Sequence, residues 1–234
     1  VQDRLGTPRQ ARDERRSENG AVAQEIAGVR ERWLAHWMPK LESEATPINP
    51  YRVVWELTKA VDPNNAVLTH DSGGPRHQLV PFYRATTPRG YIGFGKSHGL
   101  GSGLGLIMGA KLAAPEKLCI NYCGDGGFGM VGTDFETAVR NDIPILTVVS
   151  NNFEMAVETD RMTVSHDRFQ SRKTSGNYAE MAKAMGGYAE RIDKPSEIAP
   201  AIERARRATL DGRAALLEFI TSAEYEVSPS RPAD

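Results

Sequence analysis

The strongest constraint on the fold is a pair of apolar runs, a helix-length apart, each ending in oxygen-bearing side chains. The first run, Leu118-Cys119-Ile120-Asn121-Tyr122-Cys123, stops at Gly124-Asp125-Gly126-Gly127. The second, Ile145-Leu146-Thr147-Val148-Val149, stops at Ser150-Asn151-Asn152. Both read as strands, the second being rich in β-branched residues. Between them, Thr133 and Glu136 have capping-box spacing ahead of Ala138, Val139 and Ile143. That spacing predicts a helix beginning at Thr133 and stopping near Asp142, since Pro144 disfavours helical geometry in the residue before it. A strand–helix–strand unit forces parallel strands and a right-handed crossover. The expected class is α/β.

If the two strands are neighbours, about 4.8 Å apart, Asp125 and Asn152 converge just beyond their carboxyl ends. Open α/β sheets bind ligands at that edge. A carboxylate, a carboxamide and a turn carbonyl suit a Mg²⁺ ion that also holds phosphate oxygens, and are too few for an all-protein cage. The glycines after Asp125 let a diphosphate approach the backbone. Two other readings compete. Gly124 to Gly129 fits GxGxxG, but a dinucleotide site needs the helix to begin inside the glycines and an acidic residue at the end of the next strand. Here the helix is expected later, and that strand ends in Asn-Asn. Plain turn residues without a ligand would leave the pairing of the two strand ends unexplained.

Gly124-Asp125-Gly126 and Asn151-Asn152, with Asn152 27 positions after Asp125, resemble the thiamine-diphosphate (ThDP) binding motif. The flanking sequence is similar to the acetolactate synthase and benzoylformate decarboxylase branch of ThDP enzymes, in its C-terminal diphosphate-binding domain. The resemblance covers roughly residues 49–221. It implies a doubly wound, mainly parallel sheet with helices on both faces. It also implies Mg²⁺ ligation by Asp125, the side chain of Asn152 and the carbonyl of Glu154, with diphosphate contacts from Gly124, Gly126 and Gly127. Ser72, Gly73 and Gly74 would make the first diphosphate contacts, and Met155 would line the pocket. In 99–104 the chain resembles the aminopyrimidine-binding loop. There Leu100 stands where a bulky apolar side chain props the cofactor into its bent shape, beside Gly99. His98 replaces the usual glycine but keeps the carbonyl that accepts from the cofactor's amino group.

The rest of the chain is ordered around that unit. Residues 1–16 are charged and aperiodic. In 17–41, Val22, Ile26, Val29, Trp33, Trp37 and Leu41 form a helical stripe, and 42–50 reads as a linker. Residues 1–48 are thus expected to be a helical extension from a missing middle domain, 49–222 the cofactor domain, and 223–234 a loose tail. A proteolytic product or a separately encoded subunit would fit. Helices are expected at 50–61, 178–185 and 196–209, and strands at 65–69, 188–192 and 214–221. Residues 154–177 are polar and lack a core pattern, as lids and disordered stretches do. His77 has either a site role or a packing role. Gly90 to Ser97 matches the phosphate-loop pattern GxxxxGK[ST], but neither the strand before it nor the helix directly after it is expected.

Composition excludes several classes. With 25% charged residues, 40% hydrophobic residues and a net charge of −1 over 234 residues, nothing points to a nucleic-acid partner. No apolar run approaches the roughly 20 residues of a membrane span, and no signal peptide is expected. Cys119 and Cys123 share a strand face and read as buried free thiols of a cytoplasmic protein. The resemblance implies C–C bond chemistry next to a carbonyl: carboligation as in acetolactate synthase, 2-oxo acid decarboxylation, or acyl-CoA cleavage or decarboxylation. A non-catalytic ThDP-binding subunit is the alternative. The activating glutamate is expected on a pyrimidine-binding domain, absent from this sequence. The expected partners are therefore chains carrying that domain, in a homodimer, homotetramer or hetero-oligomer.

Overall fold

A computed structural model describes residues 8–93, 99–158 and 161–228 of the chain. It divides into two compact units, Val1–Lys40 and Leu41–Asp234. Among the described residues the first holds helix α1 (Pro8–Leu41), all but its last residue, and the helix is longer than the apolar stripe predicts. Within it the rings of Trp33 and Trp37 meet at 6.3 Å, while Val22, Ile26 and Val29 are exposed.

The second unit alternates helices and strands: α2 (Pro50–Ala60), β1 (Ala66–His70), α3 (Gly74–Leu79), β2 (Tyr91–Ile92), α4 (Ser102–Ala113) and β3 (Leu118–Gly124). It continues with α5 (Asp125–Val131), α6 (Phe135–Arg140), β4 (Leu146–Asn151), α7 (Thr163–Phe169), α8 (Tyr178–Ala184), β5 (Tyr188–Ile192), α9 (Ile198–Leu210) and β6 (Ala215–Ile220). The six strands form one sheet in the order β2-β1-β3-β4-β6-β5, and every pairing is parallel. The expected α/β class and doubly wound parallel sheet are what the chain adopts. From β1 the chain runs outward to β2, then returns to place β3 on the other side of β1. This reversal opens a crevice between the segments that leave β1 and β3.

The four inner strands β1, β3, β4 and β6 are buried on both faces, which is why β1 and β4 read as largely apolar runs. On one face, Val67, Cys119, Cys123, Val149 and Leu216 pack with Leu104 and Ile107 of α4, Phe128 of α5, Phe135 of α6, and Tyr178 and Ala182 of α8. Phe128 and Phe135 are essentially fully buried, each contributing about 1.5–3 kcal/mol by area. The two thiols are free and buried, as expected. On the other face α2 packs against α3 and α9, and α9 against β4, β5 and β6. α2 starts where Pro at the first helical position and an Asn cap say it should: Asn49 Oδ1 accepts from Tyr51 N at 2.9 Å. α4 can lie against β3 because Gly103 has no side chain, since a Cβ there would stand 2.3 Å from Asn121 Oδ1.

Three expectations are corrected. The helix after β3 begins at Asp125, inside the glycine-rich stretch, and not at Thr133. Tertiary packing overrides the poor propensity of glycine: Phe128 anchors the turn in the core, and Gly127 lets it press against the Asp71 carboxylate. A 3-10 turn, Gly132–Asp134, then leads into α6, and neither start carries a side-chain cap. Phe135 N already donates to Gly132 O, so Thr133 and Glu136 sit on chain that is already wound, and Glu136 pairs with Arg140 instead at 2.9 Å. The polar stretch 154–177 contains α7, none of whose residues is buried, which explains the missing core pattern. The tail is also not loose over 222–228. Ser222 N donates to Ile48 O at 2.9 Å, Tyr51 Oη to Glu226 O at 2.7 Å and Tyr225 Oη to Glu154 Oε1 at 2.7 Å. Among the described residues no helix is long and apolar enough to cross a membrane.

Candidate functional site

Register puts the two half-motifs side by side. β3 and β4 are neighbours, with Gly124 opposite Ser150, so Asp125 and Asn152 follow the adjacent strand ends. They open onto a cavity of about 360 Å³. Three segments wall it: Ser72, Gly73, Gly74, Pro75 and Gln78 after β1; Gly124, Asp125, Gly126 and Gly127 after β3; and Asn152, Glu154, Met155, Ala156 and Val157 after β4. Leu100, Ser150 and Glu224 complete the wall. The predicted site residues Ser72, Gly73, Gly74, Leu100, Gly124, Asp125, Gly126, Gly127, Asn152, Glu154 and Met155 therefore meet around one space. Gly99 does not line it; its carbonyl accepts from the Ser102 hydroxyl at 2.6 Å. His98 lies outside the described residues, as does Lys96 of the phosphate-loop match. Among the described residues β2 falls inside that match and α4 starts after it ends, not the strand-before, helix-after order that a phosphate loop needs. His77 stands in α3 away from the cavity wall, its imidazole pushed down by burial and then by Arg76.

Asp125 is 4% exposed and fixed at both oxygens: Gly126 N donates to Oδ1 at 2.9 Å, and the Thr174 hydroxyl to Oδ2 at 2.5 Å. Burial pushes its carboxyl up, against the pull of the Thr174 and Gly126 hydrogen bonds. The β4 tip is held as firmly. Asn152 Oδ1 accepts from Glu154 N at 3.0 Å, and Asn151 Oδ1 from Phe153 N at 3.0 Å. Phe153 takes a left-handed φ of 59°. Behind them the fully buried Glu218 accepts from Asn151 Nδ2 at 2.7 Å and from Ala179 N, in the first turn of α8, at 3.0 Å. An anion is favoured at that helix end.

The returning segment is clipped to the tip: Met155 N donates to Arg172 O at 2.7 Å and Thr174 N to Phe153 O at 3.0 Å. On the opposite side Asp71, 1% exposed, accepts from Ser72 N at 2.6 Å and from Gly101 N at 2.9 Å. It thereby ties the β1 loop to the loop carrying Leu100. Among the described residues no three His, Cys, Asp or Glu side chains cluster as a metal site. Asp125, Asn152 and Glu154 line the same cavity, and a carboxylate, a carboxamide and a main-chain carbonyl are hard oxygen donors of the kind Mg²⁺ accepts. The space above Gly126 is a cradle bounded by apolar atoms: a Cβ there would sit 3.6 Å from Met155 Cγ and 3.9 Å from Leu100 Cδ2. These residues fit a diphosphate held through a divalent cation, with an apolar wall beside it.

Asp71 and Thr174 are the supporting residues that sequence reading missed. Asp71 had a signal, an acid directly after β1 as Asp125 directly follows β3. Thr174 had none, since it reaches the site only because a polar loop folds back.

Comparison with known proteins agrees with this geometry. The family model for the thiamine pyrophosphate enzyme C-terminal TPP binding domain matches residues 71–219; thiamine pyrophosphate is another name for ThDP. The chain belongs to that family. It is 28% identical over 219 residues to a sulfoacetaldehyde acetyltransferase of Alcaligenes xylosoxydans xylosoxydans, covering 89% of this chain and 36% of that protein. It is 29% identical over 168 residues to the acetolactate synthase large subunit IlvG of Mycobacterium tuberculosis, covering 71% and 30% respectively. It is 30% identical over 156 residues to the mitochondrial acetolactate synthase of Schizosaccharomyces pombe, covering 65% and 23%. The matched part of this chain thus spans about a third or less of each relative's length.

Proposed function

We propose that this chain is the diphosphate-anchoring part of a Mg²⁺- and ThDP-dependent enzyme that forms or cleaves a C–C bond next to a carbonyl. The leading reaction classes are acetolactate-synthase-like carboligation and 2-oxo acid decarboxylation, followed by acyl-CoA cleavage or decarboxylation. The observation that carries the reading is the placement of Asp125 and Asn152 at the ends of neighbouring parallel strands, over a cavity of about 360 Å³.

The bound cofactor would supply the electron sink for the bond change. This chain's own residues bind and orient. Asp125, the Asn152 side-chain oxygen and the Glu154 carbonyl would hold Mg²⁺. Ser72, Gly73, Gly74, Gly126 and Gly127 would leave the backbone open to the diphosphate. Leu100 and Met155 would exclude water from the apolar side. No residue here is assigned the role of the acid that protonates the cofactor's pyrimidine ring. The active site is therefore proposed to form at an interface with a pyrimidine-binding domain, on this protein's own unseen part or on another chain, in an oligomer.

Titration calorimetry of the full chain with Mg²⁺ and ThDP is the first test, with Asp125→Ala expected to abolish Mg²⁺-dependent binding. Unchanged affinity in that variant would remove the basis of the reading. A panel of 2-oxo acids and acyl-CoA thioesters, supplied to the chain with and without a pyrimidine-domain chain, separates the reaction classes by product mass. Turnover by the 234-residue chain alone would refute the interface; binding without turnover on any substrate would favour a non-catalytic subunit.

A further inference from the structure

We propose that Thr174 is a positioning residue for the cation. It joins the two half-sites from outside the strand–helix–strand unit, beside the contact that the Phe153 backbone N–H makes with the same carboxylate. The inference rests on the reading of Asp125 and Asn152 as cation ligands and goes one shell beyond it. Thr174 makes two contacts of different kinds. Its backbone N–H donates to Phe153 O at 3.0 Å, fixing it to the tip that carries Asn152 and Glu154. Its hydroxyl donates to Asp125 Oδ2 at 2.5 Å, a short charge-assisted bond. Gly126 N donates to Oδ1, so with Thr174 in place the carboxylate is held at both oxygens.

The backbone clip supports this placement from both sides. Glu154 bridges Lys173, and Met155 N donates to Arg172 O at 2.7 Å. The segment that brings Thr174 in is therefore the same one that sets the direction of the Glu154 carbonyl. α7, lying between the two arms of the loop, has no buried residue, so this clip and the Thr174 hydroxyl contribute to holding the loop at the site. Outer partners of metal ligands typically set about 10–100-fold of metal affinity, because a ligand free to rotate must be ordered again on each binding event.

The test is Mn²⁺ affinity of the full chain in the presence of ThDP, read by the free-ion paramagnetic resonance signal, for wild type, Thr174→Val, Thr174→Ala and Thr174→Ser. Valine keeps the shape and removes the hydroxyl; serine restores it. The expected result is at least a tenfold loss for valine and alanine, with serine within about threefold of wild type. Limited proteolysis between residues 158 and 171 is expected to be faster in the valine and alanine variants, and slowed by Mn²⁺ in wild type and serine only. Should valine fail to fold, as judged by circular dichroism, alanine against serine gives the same comparison. Wild-type affinity in a folded valine or alanine variant overturns the role of Thr174. So does an equal loss in serine, and both results leave the metal site itself intact. Absence of Mn²⁺ binding by wild type with ThDP overturns the parent reading as well.

Discussion

Two adjacent glycines in α5 make opposite demands, and exchanging each for alanine separates folding from binding. Gly127 faces inward: a Cβ there would stand 2.7 Å from Asp71 Oδ2 and 3.0 Å from its Cγ. Asp71 cannot yield cheaply, because Ser72 N and Gly101 N hold its carboxylate at 2.6–3.0 Å. Forcing a methyl into such packing costs about 1–3 kcal/mol, and weakening hydrogen bonds to a charged acceptor adds up to about 1.5–3 kcal/mol. Replacing a helical glycine by alanine returns about 0.5–1 kcal/mol. The net for Gly127→Ala is a loss of roughly 1.5–5.5 kcal/mol, a fall in Tm of roughly 3–22 °C at about 2–4 °C per kcal/mol for a chain of this size. Gly126 faces the cavity, where a Cβ would meet Met155 Cγ at 3.6 Å, an ordinary contact. Gly126→Ala is therefore expected to fold as stably as wild type or slightly more so, and to lose at least tenfold in affinity for Mg²⁺-ThDP as the methyl fills the cradle. Thermal melts by circular dichroism and calorimetric titration on both variants decide it. A Gly127→Ala protein that melts at or above wild type, or a Gly126→Ala protein that binds normally, would refute the assignment of the two faces.

Three further outcomes follow from buried and paired groups. Glu218→Ala strips the acceptor from Asn151 Nδ2 and Ala179 N and is expected to lower stability by about 3 kcal/mol in urea unfolding, at about 1–3 kcal/mol per orphaned group; a loss under about 1 kcal/mol would show that the pair is not buried as described. Burial pushes the Cys119 thiol up to about 11 and the Cys123 thiol well above its ordinary value. Both should then resist a disulfide reagent at pH 8 in the folded chain and react at once in denaturant; fast labelling of the native protein would contradict this packing. The Glu190 carboxyl is held down, first by its hydrogen bond to Arg204, at 2.6 Å for the closest atoms. Its folded value lies below its unfolded one, so its stabilisation is complete above the ordinary value of 4.5 and is lost as pH falls through the lowered folded value. Because Arg204 is exposed and Glu190 only half-buried, solvent screening limits the effect to at most about 1 kcal/mol. Glu190→Gln should flatten the acid limb of a stability–pH curve by that amount, and an unchanged slope would assign the limb to other carboxylates.

The elements that sequence revealed are those whose burial is periodic or continuous. β3, β4 and β6 could be read because strands covered on both faces leave largely apolar runs, β5 because Ala189 and Ile192 are buried between less buried neighbours, and α2 and α9 because each buries a single stripe. The convergence of Asp125 with Asn152 was legible for the same reason: parallel neighbours fix where their ends lie. What escaped was set by contacts distant in sequence. α5 forms out of glycines because Phe128 is buried and Asp71 stands behind Gly127, facts that no local propensity encodes. Capping-box spacing at Thr133 and Glu136 pointed to a start that the preceding turns had already supplied. Residues 222–228 read as loose because their anchors, Ile48, Tyr51 and Glu154, lie far upstream.

The pattern of support also says which part of the site is built for rigidity. Behind Asn152 runs a relay of hydrogen bonds from the first turn of α8 through Glu218 and Asn151 to Phe153, with Glu218 and Asn151 fully buried. Such a network resists motion because each member, if displaced, leaves a polar group unpaired in a region without water. The opposite wall has a single buried carboxylate, Asp71, doing the equivalent work for Ser72 and Gly101. Between them, Met155 and Thr174 are fastened to the site by a two-bond clip and by one hydroxyl, while Val164 and Phe169 of α7 are exposed. Fixed walls with one lightly fastened loop between them are an arrangement that opens without disturbing the sheet. In hydrogen exchange, amides of α7 should therefore exchange first and those of β3 and β4 last, with added Mg²⁺ and ThDP slowing 153–155 and 172–174 more than any other loop. Protection that instead rose evenly across the chain would mean that ligand binding stabilises the fold globally and that this loop is not the mobile part.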